Sequence, residues 1–208
     1  EGVSWYQLTV KNGQRCSAAV AYLHPAMKRP NLRVETGALA QRVTFEGKKA
    51  TGVEYEQHGQ VIRATARKEV ILSGGAVNSP QLLQLSGIGP ADLLSSHGIG
   101  VLHALPGVGE NMQDHYIFSV TFRLKPGSPS VNAKMQGIAF AGEILKYAVQ
   151  RRGILTLSPA HVAAFCKSRP ELASPDIQFH ILPATPDMEK LVGNQKFVLE
   201  AQPGLTIA

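Results

Sequence analysis

Residues 68–89 read KEVILSGGAVNSPQLLQLSGIG, and no other stretch limits the folds open to this chain as strongly. It begins as a strand over 70–72 and breaks at Ser73-Gly74-Gly75. A helix is expected from about Ser79-Pro80, and the stretch closes on Ser86-Gly87-Ile88-Gly89. A strand that ends in small residues and feeds a helix leaves free backbone N–H groups beside the strand end. Glycines there remove the side chains that would hold a ligand off the main chain. On these grounds alone, a nucleotide or an anion could sit at this junction.

The remaining pattern mixes short strands and helices. Residues 5–10 alternate and end at the turn signal Asn12-Gly13. Ser17 is placed to cap a helix over 18–28, followed by a short strand over 32–35. Residues 42–45, 51–56 and 60–66 read as a β-meander, because the turns at Glu46-Gly47 and His58-Gly59 are short and polar. The apolar run 70–72 suits a buried central strand. Helices are expected over 79–85 and 90–96, a loop over 105–109 and a strand over 116–124. The breaker cluster 125–130 follows, then a long helix over 136–151 and a last strand over 176–182.

With 208 residues the chain can bury a core as one or two domains. No apolar run approaches the ~20 residues that cross a bilayer, and no basic-then-apolar leader stands at the start. The net charge of +6 comes from scattered pairs such as Lys48-Lys49 and Arg151-Arg152. Nucleic-acid binding needs a concentrated patch, so that class is set aside. Cys16 and Cys166 match no metal spacing and read as free thiols of a reducing compartment. The seven histidines show no zinc-binding spacing.

As a whole string, Gly75-Ala76, Ser79-Pro80, Leu82-Leu83 and Ser86-Gly87-Ile88-Gly89 closely resemble the second signature of the glucose-methanol-choline (GMC) family of flavin oxidoreductases. The residues 105–115, LPGVGENMQDH, are similar to that family's LPGVGxNLQDH segment, with Met112 for the usual Leu. Residues 1–32 look like its approach to the FAD domain, and Gly153, Phe165 and Pro175-Asp176-Ile177-Gln178 resemble landmarks of its substrate domain. The family's GxGxxG fingerprint and its catalytic His context are both missing from the string. The resemblance therefore implies an internal piece of a longer enzyme. Its fold class would be α/β and α+β: the middle of an FAD-binding Rossmann-like domain with an antiparallel β-meander, then part of an antiparallel-sheet substrate domain. Residues 1–115 would be the partial FAD domain and 116–208 the partial substrate domain.

The same resemblance implies FAD as cofactor, with contacts from three residues. Ala40 stands where the family's backbone pairs with adenine, and Ser73 and Gly74 where the chain passes the adenosine and pyrophosphate. No catalytic residue or metal ligand is assigned. Asn111, Asp114 and His115 read as loop support, since neighbours in an extended stretch point opposite ways. His161 and His180 read as strand or pocket residues, and Ser86 as a helix-end residue rather than a nucleophile.

The expected parent enzyme oxidises a small-molecule primary alcohol to an aldehyde by hydride transfer to flavin. A choline site would need aromatic or acidic groups around the quaternary ammonium. No such cluster stands out in the string, so an aliphatic alcohol is favoured. The electron acceptor stays open. The place expected is cytoplasmic, at most peripheral to the inner membrane. The chain alone is expected to be inactive and to expose apolar surface through which it could associate. The alternatives are a truncated, non-catalytic binding or regulatory module and an unrelated α+β domain.

Overall fold

The structure is a computed structural model and describes residues 1–187, 190 and 198–208. Two compact units divide it: Pro30–His115, and Glu1–Arg29 together with Tyr116–Ala208. Residues 1–29, grouped with 30–115 in the sequence reading, thus pack with the later part of the chain.

In that first segment β1 (Gly2–Trp5) is followed by the hairpin β2 (Val10–Lys11) and β3 (Gln14–Arg15). Asn12 and Gly13 both take positive φ, 52° and 70°, as a two-residue hairpin turn of this twist requires. A Cβ at residue 13 would overlap the Arg151 carbonyl, so only glycine lets the turn lie against that main chain. Ser17 Oγ accepts the Val20 N–H at 3.4 Å, and a π-helical turn over Ala19–Leu23 runs into α1 (His24–Ala26).

The unit Pro30–His115 is built on the meander β4 (Leu39–Glu46), β5 (Lys49–Gln57) and β6 (Gln60–Thr65), paired antiparallel in that order. Gly47, His58 and Gly59 turn the chain with positive φ, at the expected positions. Glu54 on β5 takes Arg42 from one neighbouring strand and Arg63 from the other, the latter at 2.6 Å. These hydrogen bonds, Arg42 first, hold the Glu54 carboxyl below its usual range and raise the Arg42 guanidinium. Next come α2 (Gly75–Leu85), β7 (Ile88–Gly89), α3 (Ala91–Ser96) and β8 (His103–Ala104), with β7 and β8 parallel. Val43 and Leu94 are its buried apolar side chains among the described residues.

Two expected strands do not form, and the one expected over 5–10 is broken, with residues 6–9 outside any strand. Residues 32–35 and 70–72 lie outside any sheet, and Ile71 is 75% exposed rather than buried. An apolar β-branched run becomes a strand only when a neighbour accepts its main-chain bonds. Among the described residues, 68–72 have no backbone–backbone hydrogen bond. The helix expected from Ser79 instead starts at Gly75, one turn earlier, so Pro80 lies inside it. Its missing N–H there leaves one helical carbonyl without its usual donor.

The other unit continues with β9 (Val120–Arg123), α4 (Val131–Lys134), α5 (Gly137–Gln150), a 3-10 turn over Ile154–Thr156, β10 (Val162–Cys166), β11 (Ile177–Leu182) and β12 (Gly204–Ile207). Strands β1-β10-β11-β12-β9 form one antiparallel sheet. Its register sorts the side chains by alternation. Tyr6, His161, Gln178, His180, Thr121 and Arg123 fall on one face. Val3, Trp5, Ile177, Phe179, Val120 and Phe122 fall on the other, where Trp5 is 74% exposed. The fully buried Asn132 on α4 donates to the Thr185 and Glu200 carbonyls at 3.2 and 2.9 Å and accepts the Thr185 N–H at 3.0 Å. Every polar atom of that amide is thereby matched, which burial demands.

Candidate functional site

The β4 end of the meander, the segment after residue 68 and the start of α2 enclose a cleft of about 410 Å³. Ala40, Ser73 and Gly74 all line it, with Val53, Leu72 and Asn78. The geometry therefore brings together three residues that lie up to 34 positions apart in the chain (74 − 40).

Three features suit this cleft to a flat heteroaromatic group with a phosphate tail. Its walls are mainly aliphatic, with Ser73, Asn78, Ser79 and Gln81 as polar groups, so an adenine-sized ring would lose little by entering. The main chain of 68–72 offers N–H and C=O groups not used in any sheet. At its edge α2 starts with no side chain capping its first amides, which favours negative charge there. Gly75 takes φ +83°, a conformation that a side chain would strain. A Cβ on Gly74 would come within 3.1 Å of Asn78 Cβ.

The rest of the signature segment serves architecture. Ser86 caps the C-terminal end of α2; its Oγ donates to the Leu82 carbonyl at 2.5 Å and accepts the buried Val43 N–H of β4 at 2.8 Å. Gly87 takes φ +85°, and a Cβ there would meet the Gly100 carbonyl at 2.5 Å. Gln84 Nε2 donates to the Val108 carbonyl at 3.0 Å, and a Cβ on Gly109 would press to 2.6 Å from that nitrogen. The two motif segments, 75–89 and 105–109, are thus joined through Gln84, a link that spacing did not reveal. The helix-end reading of Ser86 agrees with this geometry.

Asn111 sits at φ 57°, and Asp114 Oδ1 accepts the His115 N–H at 2.8 Å. All three of Asn111, Asp114 and His115 are exposed. Asp114 therefore serves its own loop backbone.

On the five-stranded sheet, the Tyr6 hydroxyl meets His180 Nδ1, and Gln178 Nε2 donates to the same hydroxyl at 3.1 Å. The Tyr6 and His180 rings lie near-parallel, centroids 5.6 Å apart. Burial pushes the neighbouring His161 imidazole below its usual range. This cluster escaped the sequence reading because Tyr6 and His180 are 174 positions apart. The only local hint was the alternation that puts Gln178 and His180 on one side of a strand. A second cleft of about 510 Å³ gathers Tyr116, Phe118, Phe122 and Phe179 beside Asp176, an aromatic grouping the linear string did not show. The Ser168 hydroxyl and N–H hold the Asp176 carboxyl below its usual range. No group of three or more His, Cys, Asp or Glu among the described residues could hold a metal ion. Likewise, no described helix is long and apolar enough to cross a membrane.

Comparison with known proteins adds the wider context. Human choline dehydrogenase (mitochondrial) is 46% identical over 186 residues, covering 88% of this chain and 31% of that protein. An alcohol dehydrogenase (acceptor) of Pseudomonas putida is 44% identical over 191 residues, covering 88% and 34%. The chain thus spans about a third of the length of these curated relatives. Among solved structures, a fungal aryl-alcohol oxidase superposes with TM-score 0.70 at 30% identity, over 79% of this chain and 29% of that one. A formate oxidase superposes with TM-score 0.79 at 22% identity, over 96% and 38%, a likeness of fold. The family model described as GMC oxidoreductase matches residues 1–117. With that match over more than half its length, the chain belongs to the GMC oxidoreductase family.

Proposed function

We propose that this chain is part of an FAD-dependent oxidoreductase that converts a primary alcohol to its aldehyde, and that Ala40, Ser73 and Gly74 hold the adenosine end of the flavin nucleotide. The observation that carries this reading is their convergence on one cleft in a GMC family member. FAD, when bound, supplies the hydride acceptor. The chain's own residues bind and orient. The Ala40 main chain would pair with the adenine edge, glycine at 74 would admit close approach, and the uncapped α2 amides would favour the pyrophosphate charge. Residues 30–115 would then contribute to the FAD domain, and residues 1–29 together with 116–208 to the substrate domain.

We take the polar face of the five-stranded sheet to meet the substrate. It carries Tyr6, His180 and Arg123, and Arg123 is paired with Glu200 at 3.5 Å. The neutral Tyr6–His180–Gln178 cluster on that face suits the hydroxyl of an uncharged aliphatic alcohol. The aromatic cleft beside Asp176, which would suit a quaternary ammonium, takes Val120, Phe122, Ile177 and Phe179 of the opposite face. The partners are therefore a small alcohol and an electron acceptor of unspecified kind, in a cytoplasmic setting.

The test is anaerobic reduction of the flavin in the purified FAD-bound protein. Primary aliphatic alcohols should bleach it faster than choline. Faster bleaching by choline overturns the substrate preference, and no bleaching by any alcohol overturns the activity. The 208-residue chain alone, given FAD and an artificial acceptor, should show no turnover.

A further inference from the structure

Helix α5 carries its apolar residues outward. A surface helix ordinarily turns an apolar stripe to the core and charges to water. On α5 the spacing puts Ile138, Ala141, Leu145, Ala148 and Val149 on one face. That face is the outer one: Ile138 is 92% exposed, Leu145 65% and Val149 74%, and both alanines are exposed too. The half-buried side holds Phe140, Glu143 and Tyr147. Glu143 Oε2 is engaged there, accepting the Ile154 N–H at 3.1 Å.

The charge around the outer face has one sign. Residues 124–166 contain a single acid, Glu143, against Lys125, Lys134, Lys146, Arg151 and Arg152. The Arg151 guanidinium lies over the Tyr147 ring, 4.9 Å from its centroid, at the C-terminal end of α5. The β2–β3 hairpin rests against the Arg151 main chain and adds the exposed Lys11 and Arg15. Among the described residues, none of Lys11, Arg15, Lys134, Lys146, Arg151 and Arg152 takes part in an ion pair. An apolar strip edged by unpaired cations matches the two layers of an anionic lipid surface, acyl chains below and phosphates above. A second copy of the chain on this face would bring the same cations together and be repelled. At 14 residues α5 is too short to span a bilayer, so it would lie in the interface plane.

We propose that the outer face of α5 docks on an anionic lipid bilayer, with Leu145 and Val149 entering the headgroup–acyl boundary and Lys146 and Arg152 meeting the lipid phosphates. The docking does not depend on which alcohol is oxidised.

The experiment sediments the protein purified with FAD together with vesicles of phosphatidylcholine alone, and of equal parts phosphatidylcholine and phosphatidylglycerol. The expected result is binding to the mixed vesicles, weaker binding to the neutral ones, and release in about 1 M salt, where charges are screened within about 3 Å. Lys146→Gln and Arg152→Gln should each weaken binding about fivefold, the worth of one cation at a charged lipid surface. Leu145→Asn should weaken it at least about tenfold, because its apolar insertion is lost. All three changes lie at exposed positions, so melting temperatures should match the wild type. A polarity-sensitive dye attached at Val149→Cys, read against the wild type with its own Cys16 and Cys166, should shift to bluer emission on the mixed vesicles. No binding to the mixed vesicles, or binding that none of the variants weakens, overturns the proposal. A dye that cannot react at Val149→Cys also overturns it, by showing that another part of the enzyme covers the helix. Self-association that Leu145→Asn abolishes, without lipid binding, overturns it in favour of a second copy.

Discussion

Replacing Ser86 by alanine isolates one contact that ties α2 to the meander. Strand β4 is an edge strand, and its Val43 N–H finds its partner in Ser86 Oγ at 2.8 Å rather than in another strand. Val43 is 6% exposed, so water cannot readily replace that acceptor. The Leu82 carbonyl loses less, since it keeps the Ser86 N–H at 3.1 Å. The cost is therefore mainly one unsatisfied buried donor, about 1–3 kcal/mol. With a urea slope of about 1–3 kcal/mol per molar, the unfolding midpoint should fall by about 1 M at unchanged slope. The assay is equilibrium urea unfolding, with Ser96→Ala as control. Ser96 Oγ bonds the Leu93 carbonyl at 2.8 Å on an exposed surface, so its loss should cost less than about 0.5 kcal/mol. Equal small shifts for both variants would refute the reasoning.

Gly87→Ala should destabilise by at least about 2 kcal/mol, because φ +85° and the Gly100 carbonyl both oppose a side chain. Gly98→Ala, at φ +68° with open space around it, should cost about half as much in the same urea assay. The Glu54 carboxyl has its folded pKa lowered by Arg42 and Arg63, so its stabilisation is full above the unfolded value and is lost as pH falls through the folded one. Glu54→Gln should therefore unfold more easily than wild type at neutral pH and match it in acid; a gap that widens in acid would contradict the pairing. His161 runs on the same logic in a different window: burial lowers its pKa from 6.5, so protonation favours the unfolded chain, and His161→Leu should blunt the stability loss below about that pH.

The structure explains which features could be read along the chain. The meander turns at Gly47 and His58-Gly59, the long helix α5 and the strand β11 depend on neighbours a few residues away, and periodicity exposes them. Residues 32–35 and 70–72 carry equally good strand patterns yet stay outside any sheet. A pattern states what a segment can bury, while a ladder also needs a partner. An antiparallel sheet in the later part of the chain was expected from resemblance, but its strand order was not legible, for the converse reason. It draws β1, β9, β10, β11 and β12 from across the chain, and β12 is four residues long. At the cleft, glycine-rich chemistry marked Ser73 and Gly74, but Ala40 was legible only through family resemblance. Its place in the same cavity follows from how β4 runs beside α2.

The most direct test of the account is a titration of ADP, the phosphorylated adenosine portion of the flavin nucleotide, into the protein freed of FAD, followed by backbone amide resonances. Saturable shifts centred on Ala40, Ser73 and Gly74, with binding weakened at least about tenfold by Ala40→Glu, are the predicted result. Shifts centred elsewhere, or affinity untouched by Ala40→Glu, would contradict it.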